Sequence, residues 1–172
     1  EGRVIMAHLG SGASVTGMVN GKPVDTTMSF TPTSGIPMSS RSGDIDPSVA
    51  SYLIGNEGMS VQDYDDMINR KSGLIGISET TSDMHTLIGK ESSDERARDA
   101  VNLFCYSVKK AIGSLSAVMG GVDMIVFSGG IGERSAPVRE RICEGLEYIG
   151  IEIDKEKNQQ GLPVISKDDT IR

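Results

Sequence analysis

The chain contains 172 residues with 17 basic and 24 acidic side chains, so its formal net charge is −7 at pH 7. This excess of negative charge argues against nucleic acid or an anionic membrane as the main partner, because both would repel it. The length favours one domain. The sequence contains no run of about 18 apolar residues, so it predicts no membrane-spanning helix. The two cysteines, Cys105 and Cys143, form no metal-binding motif, so we expect reduced thiols and no zinc site.

The first 28 residues predict three strands and a tight hairpin. Residues 3–8 form a short, mostly apolar segment, and residues 13–19 alternate roughly between apolar and polar side chains. Asn20-Gly21 is the residue pair that favours a two-residue hairpin turn, and residues 22–28 predict the returning strand. The segment 29–46, rich in Pro, Gly and Ser, is interpreted as a long loop.

Two short helices are predicted next. The first begins at Asp46-Pro47, where Asp is a favourable N-cap and Pro suits the first helical position. The second begins at Ser60, has an acidic residue three positions later, and is expected to end at Gly73. Residues 73–87 are interpreted as a loop that could include a short helix.

The longest periodic pattern predicts one long helix. Apolar side chains recur at helical spacing from about Ser93 to Met119, and Gly120-Gly121 provides the stop. A core helix and a dimerisation helix are both consistent with this pattern, and the residues alone leave the choice open.

The last third predicts a strand, a glycine turn and a further helix. Met124–Phe127 is an apolar, buried strand, the turn follows at Ser128–Gly132, and apolar residues continue at helical spacing to Ile149. Residues 151–154 and 163–166 are expected to close as short strands. The order of the elements indicates an α/β fold with a mixed sheet flanked by helices.

The segment HLGSGASVTG, from His8 to Gly17, raises the question of a phosphate-binding turn. It lacks the dinucleotide-binding pattern, because a hairpin follows instead of a helix, and it is not a P-loop. A glycine turn can still present backbone N–H groups to phosphate, with His8 reaching a transferred phosphoryl group from the strand end. An ordinary turn between two strands remains the alternative on this segment alone.

A second glycine turn, in VFSGGIGERS, favours the nucleotide interpretation. A helix that follows an apolar strand attracts anions at its N-terminus, and bare glycine backbone also gives adenosine a flat surface. An ordinary strand-to-helix turn needs one glycine rather than three. We therefore expect the two glycine turns to form two walls of one nucleotide cleft.

Arg41, in the segment SSRSGDIDP, is an isolated arginine in a polar loop. Its guanidinium suits an oxyanion, because the planar fork of donors matches phosphate and carboxylate. A solvated loop arginine is the alternative interpretation. Asp44 and Asp46 lack a third carboxylate at ligand spacing, so no metal site is expected there.

Four segments, in their order and spacing, resemble the acetate kinase family, which includes acetate and propionate kinases. They are AHLGSGASV, DTTMSFTPTSGIPMSSRSGDIDP, RKSGLIGIS and VFSGGIGE, and the resemblance covers essentially all 172 residues. It implies the fold of the actin-like ATPase and sugar kinase superfamily, which is ribonuclease H-like. It also implies reversible phosphoryl transfer from ATP to a short carboxylate, which gives an acyl phosphate and ADP.

The resemblance also implies roles for residues of this chain. Arg41 is expected to stabilise the phosphoryl group in transfer, and Pro32 to line the acyl pocket. The expected cofactor-binding residues are the phosphate turn His8, Leu9, Gly10, Ser11 and Gly12, the nucleoside contacts Asp83, Met84 and His85, and the adenosine turn Gly130, Ile131, Gly132, Glu133 and Arg134.

Three of these positions depart from the family pattern. Ser11 and Arg134 stand where the family usually has Asn, and His85 stands where it often has Arg. His85 weakens a positive charge at neutral pH, and Arg134 is a candidate to compensate for it. These changes bear on nucleotide preference and affinity rather than on the class of reaction.

The resemblance implies that residues 1–172 are the C-terminal nucleotide-binding domain of an enzyme about twice this length. The N-terminal domain and the extreme C-terminal segment, whose Glu helps to hold Mg²⁺, are expected to lie outside the chain. No metal ligand is therefore expected within it, and alone it is expected to be inactive. ATP or ADP, Mg²⁺ and a small carboxylate are the expected ligands, and a cytoplasmic homodimer is the expected state.

Three alternatives remain open from the sequence. The carboxylate is acetate, propionate or butyrate, since one methylene changes binding by only ~1–3 kcal/mol. A non-catalytic actin-like ATP-binding module would account for the glycine turns but would not need Arg41. A dimerisation domain would use the glycines only as turns.

Overall fold

The computed structural model describes residues 2–168 and 170–171 of the chain. The chain divides into two compact units. We call Glu1–Thr27 with Cys105–Arg172 the sheet unit, and Met28–Phe104 the helical unit. In the described part of the chain, no helix combines the length and the apolar character that a membrane crossing requires.

Four strands form a mixed sheet in the described part of the sheet unit. β1 (Arg3–Leu9) pairs antiparallel with β2 (Ala13–Val19), and β2 pairs antiparallel with β3 (Lys22–Thr26). β4 (Met124–Ser128) pairs in parallel with β1, so the sheet order is β3-β2-β1-β4. Among the described residues, β4 thus ends the sheet and pairs on one side only. The sequence predicts that Met124–Phe127 is buried, but in the structure β4 is half-exposed.

The hairpin between β2 and β3 turns at Asn20 and Gly21, as the sequence predicts. Both residues have a positive φ, 51° and 75°, which is the combination that a type I′ turn requires and that Asn and Gly tolerate best. The returning strand ends at Thr26, slightly earlier than predicted.

In the described chain the helical unit holds four short helices and the start of a long one. They are α1 (Ser48–Gly55), α2 (Val61–Arg70), α3 (Gly73–Ser78), α4 (Met84–Lys90) and α5 (Glu95–Met119). The prediction that Gly73 ends the second helix is wrong, because α2 ends at Arg70 and Gly73, with a φ of 59°, begins α3. Most of the predicted loop over 73–87 is helical, because it contains α3 and the first part of α4.

The side chains predicted to cap the first two helices both accept backbone hydrogen bonds in the structure. Oγ of Ser60 accepts a hydrogen bond from the backbone N–H of Asp63 at 3.0 Å, so the N-cap of α2 is confirmed. α1 begins one position later than predicted, yet Oδ1 of Asp46 still accepts from the N–H of Ser48 at 2.8 Å.

The long helix α5 packs against the inner face of the sheet. That face consists of alternate, fully buried residues of β1 and β2, namely Ile5, Ala7, Leu9, Ala13 and Val15. A β-carbon built at Gly17, on the same face, would lie 3.1 Å from Sδ of Met119 and 3.3 Å from Cδ2 of Leu115, both on α5. The mixed sheet with helices against it confirms the expected α/β fold.

The chain after β4 departs from the prediction in three ways. The glycine turn is itself a short helix, α6 (Gly129–Arg134), which α7 (Ala136–Cys143) follows. α7 ends well before Ile149, because the backbone leaves the helical conformation at Glu144, with a ψ of 127°, and Gly145 follows with a φ of 79°. The predicted strands over 151–154 and 163–166 are absent, and a single isolated bridge joins Ile153 to Ser166 around α8 (Lys155–Gln160).

Candidate nucleotide-binding and phosphoryl-transfer residues

The carboxyl ends of β1 and β4 lie side by side, and each leads into one of the two glycine turns. The parallel register pairs His8 with Ser128, and Nδ1 of His8 lies 3.1 Å from Oγ of Ser128. Because parallel strands end at the same edge of a sheet, both turns emerge at this edge, where ligands of α/β folds commonly bind.

The first turn is held by its backbone and by one buried side chain. The N–H of Gly10 donates to the carbonyl oxygen of Gly12 at 3.1 Å, and the side chain of Leu9 is fully buried. His8 and Ser11 are exposed. A ligand at this turn would meet the imidazole of His8, the hydroxyl of Ser11 and backbone, and Leu9 offers only its backbone.

The two turns touch through their backbones. Gly129 has a φ of 79°, and a β-carbon built there would lie 2.5 Å from the carbonyl oxygen of Leu9. Only glycine fits such an approach. Gly132 is buried, and a β-carbon built there would lie 3.6 Å from Cβ of Leu9. Glycine at position 129 therefore allows the second turn to lie directly against the first.

The second turn exposes its backbone at Gly130, and it offers a poor site for an anion. Gly130 is exposed, and a β-carbon built there would meet no atom within 4 Å. The N–H of Gly129 donates to Oε1 of Glu133 at 3.1 Å, so a carboxylate already lies at the start of α6. Of the two ligands that the sequence suggests for this turn, the geometry favours adenosine over an anion. Arg134 is exposed at the other end of α6.

Sequence reasoning missed a buried arginine that binds the end of α6. Nη1 of Arg139 donates to the carbonyl oxygens of Gly132 and Glu133, at 2.9 and 2.7 Å. Arg139 lies on α7 between the core positions Val138 and Ile142. This place beside the apolar stripe is the signal that would have indicated its burial.

A cavity of about 610 Å³ adjoins the C-terminal half of α6 in the sheet unit. Its lining is mainly apolar and includes β4, residues 151–153 and residues 161–166, together with Gly132, Glu133, Arg134 and Arg139. The volume suits a small ligand, but the cavity flanks the strand that ends the described sheet, and its lining does not include the first glycine turn, His8–Gly12. We therefore base the nucleotide site on the glycine turns.

In the helical unit, Arg41 lies beside Pro32. Nη1 of Arg41 donates to the carbonyl oxygen of Pro32 at 3.3 Å and lies 3.5 Å from Sδ of Met38. Arg41 is partly exposed and Pro32 is exposed. The contacts described for Arg41 include no carboxylate, so its charge is available to an anionic ligand.

The start of α3 fixes the loop that carries Arg41. The N–H of Leu74 donates to the carbonyl oxygen of Met38 at 2.9 Å, and the N–H of Met38 donates to that of Arg41 at 3.1 Å. A β-carbon at Gly73 would lie 2.6 Å from the Arg41 carbonyl oxygen and closer still to that of Met38. Gly73 thus permits the close backbone contact that holds the arginine loop.

The expected nucleoside contacts lie at the start of α4. Oδ1 of Asp83, the N-cap, accepts hydrogen bonds from the hydroxyl of Thr86 at 2.6 Å and from its backbone N–H at 2.8 Å. These two bonds hold the pKa of the Asp83 carboxyl below its usual value. Asp83 and His85 are exposed, whereas Met84 is buried and has only its backbone to offer a ligand.

The structure thus gathers the predicted residues into three local groups. His8–Gly12 lies beside Gly130–Arg134 in the sheet unit. In the helical unit, Arg41 is hydrogen-bonded to Pro32, and Asp83, Met84 and His85 are consecutive at the start of α4.

Comparison with known proteins finds one family over nearly the whole chain. The model of the Acetokinase family matches residues 1–171. The acetate kinase of Thermoanaerobacterium thermosaccharolyticum is 48% identical over 159 residues, which cover 91% of this chain and 40% of that protein. The acetate kinase of Coprothermobacter proteolyticus is 46% identical over 173 residues, covering 99% of this chain and 43% of that protein. The chain spans about 40% of the length of these curated relatives.

Solved structures show the same likeness. The acetate kinase of Porphyromonas gingivalis matches with a TM-score of 0.93 at 39% identity, covering 98% of this chain and 43% of that one. A propionate kinase from Francisella tularensis matches with a TM-score of 0.94 at 38% identity, covering 99% of this chain and 44% of that one. Nearly all of this chain therefore corresponds to less than half of each solved protein.

Proposed function

The chain belongs to the acetokinase family, and from this premise we propose that it is the nucleotide-binding part of a kinase that transfers phosphate between ATP and acetate. Family membership confirms the resemblance that four sequence segments indicated. The products in the forward direction would be acetyl phosphate and ADP. Relatives named acetate kinase at 46% and 48% identity support this activity.

The proposed reaction places modest chemical demands on the protein. Acetate needs no general base to become a nucleophile, because a carboxyl group with a pKa of about 4 is ionised at pH 7. Catalysis then consists of holding two anions in line and neutralising the charge on the phosphoryl group. Glycine backbone, one histidine and one arginine are suited to that task.

The observation that carries the proposal is the backbone contact of Gly129 with Leu9, which joins the two glycine turns. The turn His8–Gly12 would face the β- and γ-phosphates, and Gly130–Arg134 would hold adenosine against its open backbone. Asp83, Met84 and His85 would add contacts to the nucleoside. In this assignment, the carboxylate of Glu133 shapes α6 and leaves the phosphates to the first turn.

Arg41 is the proposed catalytic residue, and Pro32 would border the acyl group. The hydrogen bond from Arg41 to the carbonyl oxygen of Pro32 supports this pairing, because it would hold a positive charge beside the residue proposed to border the acyl group. The guanidinium fork can bind two oxygens of a phosphoryl group at once.

Mg²⁺ would accompany the nucleotide. Among the described residues, no three His, Cys, Asp or Glu side chains cluster as a metal site requires. The phosphates of the nucleotide would provide ligands for it. A cytoplasmic homodimer completes the proposal and is based on the family alone.

Calorimetric titration of the chain with Mg·ATP and Mg·ADP tests the nucleotide site. We expect millimolar or tighter binding that Arg41→Ala leaves nearly unchanged, because the proposed role of Arg41 is in transfer. Gly130→Val, which covers the open backbone without touching β1, should abolish binding. A folded wild-type chain that binds neither nucleotide would contradict the proposal.

Propionate is the second candidate substrate, because the propionate kinase matches this chain as well as the acetate kinase does, with TM-scores of 0.94 and 0.93. The ratio of kcat/KM for the two acids, measured in a complete enzyme that contains this chain, distinguishes them.

A further inference from the structure

We propose that Arg139 is a positioning residue for the nucleotide: its buried guanidinium fixes the C-terminal end of α6 and so holds the backbone of Gly130–Arg134 in its binding conformation. The inference rests on the nucleotide site proposed above.

The hydrogen bonds of Arg139 join α6 to α8. Nη1 donates to the carbonyl oxygens of Gly132 and Glu133 at 2.9 and 2.7 Å, while Nε and Nη2 donate to Oδ1 and the carbonyl oxygen of Asn158 at 2.7 and 2.9 Å. Asn158 is itself fixed, because its Nδ2 donates to the carbonyl oxygen of Ala136 at 3.0 Å. The result is one connected network that includes α6, the start of α7 and α8.

The burial of this charge is unusual for a purely structural contact. Arg139 is 4% exposed, and burial lowers the pKa of its guanidinium. Every hydrogen-bond partner described for it is a neutral oxygen. A well-packed apolar side chain often serves a core as well as a buried charge does. The charge lies instead where the last carbonyl groups of α6 carry partial negative charge, which points to a role in fixing α6.

Helix α6 needs such fixation because it has little stability of its own. It is six residues long and contains three glycines, and helices this short do not persist alone in water. Gly129 against Leu9 holds the first end, and Arg139 holds the last. With both ends fixed, the open backbone at Gly130 is ordered before the nucleotide arrives, which lowers the cost of binding.

The test compares wild type, Arg139→Met, Arg139→Lys and Leu115→Ala. Leu115 lies on α5 against Gly17 of β2, so its truncation lowers stability without touching α6. Two quantities are measured on each folded chain: hydrogen exchange of the amides of residues 131–135, and the Kd for Mg·ATP by calorimetry.

We expect Arg139→Met to accelerate exchange in residues 131–135, including the Ser135 amide that donates to Ile131, while β1 and β2 stay protected. If the variant has to order even one residue when it binds the nucleotide, its affinity falls by about tenfold. The Kd should therefore rise by about that factor or more. Arg139→Lys keeps the charge and a donor group, and should recover part of the affinity. Leu115→Ala should bind like wild type.

A folded Arg139→Met chain that binds Mg·ATP as tightly as wild type overturns the inference, whatever its melting temperature. An equal loss of affinity in Leu115→Ala at matched stability also overturns it. Where Arg139→Met does not fold, Arg139→Lys decides by the same two measurements. Failure of the wild-type chain to bind is a distinct result, because it removes the proposed nucleotide site and this inference with it.

Discussion

Gly129 lies so close to Leu9 that a β-carbon at position 129 would come within 2.5 Å of the Leu9 carbonyl oxygen. This contact joins the ends of β1 and β4 through the backbone, at the point where the proposed phosphate and adenosine segments begin.

Gly129→Ala should lower the free energy of unfolding by about 2 to 4 kcal/mol, because it combines a strained positive φ with a backbone clash. Gly130→Ala is the matched control. Its β-carbon would meet nothing within 4 Å, and the gain in helix propensity is at most about 1 kcal/mol. Urea unfolding of the three proteins measures the difference. Equal destabilisation by both substitutions would show that the contact is not restrictive.

Arg41→Ala, in a complete enzyme that contains this chain, should lower kcat by roughly 10³-fold or more while the KM for ATP changes little. The reason is that Arg41 would bind the phosphoryl group most strongly during transfer. Arg41→Lys keeps a charge but loses the planar fork, so it should recover only part of the rate. Trapping acetyl phosphate with hydroxylamine gives the rates. A variant that keeps kcat but has a greatly raised KM for ATP would assign Arg41 to nucleotide binding instead.

Asp123 should make the stability of the sheet unit depend on acid pH. Hydrogen bonds from the side chain and the backbone N–H of Arg3 lower the pKa of the Asp123 carboxyl from 3.8 to about 2. A carboxyl with a lower pKa in the folded chain stabilises it above the unfolded pKa, and this contribution disappears as the carboxylate is protonated.

The free energy of unfolding of wild type and Asp123→Asn, followed against pH, measures this contribution. The difference between them should be constant near neutral pH and should shrink as the pH falls from 3.8 towards about 2. A difference that does not change over this range would exclude the ion pair as its source.

The two cysteines should be unreactive in the folded chain. Cys105 and Cys143 are both buried, and burial raises the pKa of the Cys143 thiol to about 12. The reactive species is the thiolate, which is nearly absent at such a pKa. Ellman's reagent should therefore label neither cysteine at mildly alkaline pH, and both after unfolding in guanidinium. Rapid labelling of one thiol under native conditions would contradict the burial.

Elements with strong local signals could be predicted from the sequence. Asn20-Gly21 specifies its own turn through two positive φ angles, and the spacing of apolar residues in α5 follows from the helical period itself. The short segments around His8 and Arg41 helped to carry the resemblance to the family, which the family match confirms.

Elements that depend on distant contacts could not be predicted in this way. α3 begins at Gly73 because the carbonyl groups of Met38 and Arg41 lie against it, and nothing in the neighbouring sequence indicates their presence. α6 is a helix despite its glycines, whose intrinsic propensity is low, because Arg139 binds its last carbonyl groups. That arginine was itself missed, since arginine on a helix is usually exposed.

The end strand β4 has a consequence for the behaviour of the chain in solution. Within the described residues it pairs only with β1, its sequence MIVFS has no charge and no proline, and Met124 is 39% exposed. Such an edge is a template for strand addition from a second molecule. We therefore expect colloidal stability to limit work with the isolated chain: concentrated samples should lose protein to edge-to-edge aggregates, and a lysine in place of Met124 should delay that loss.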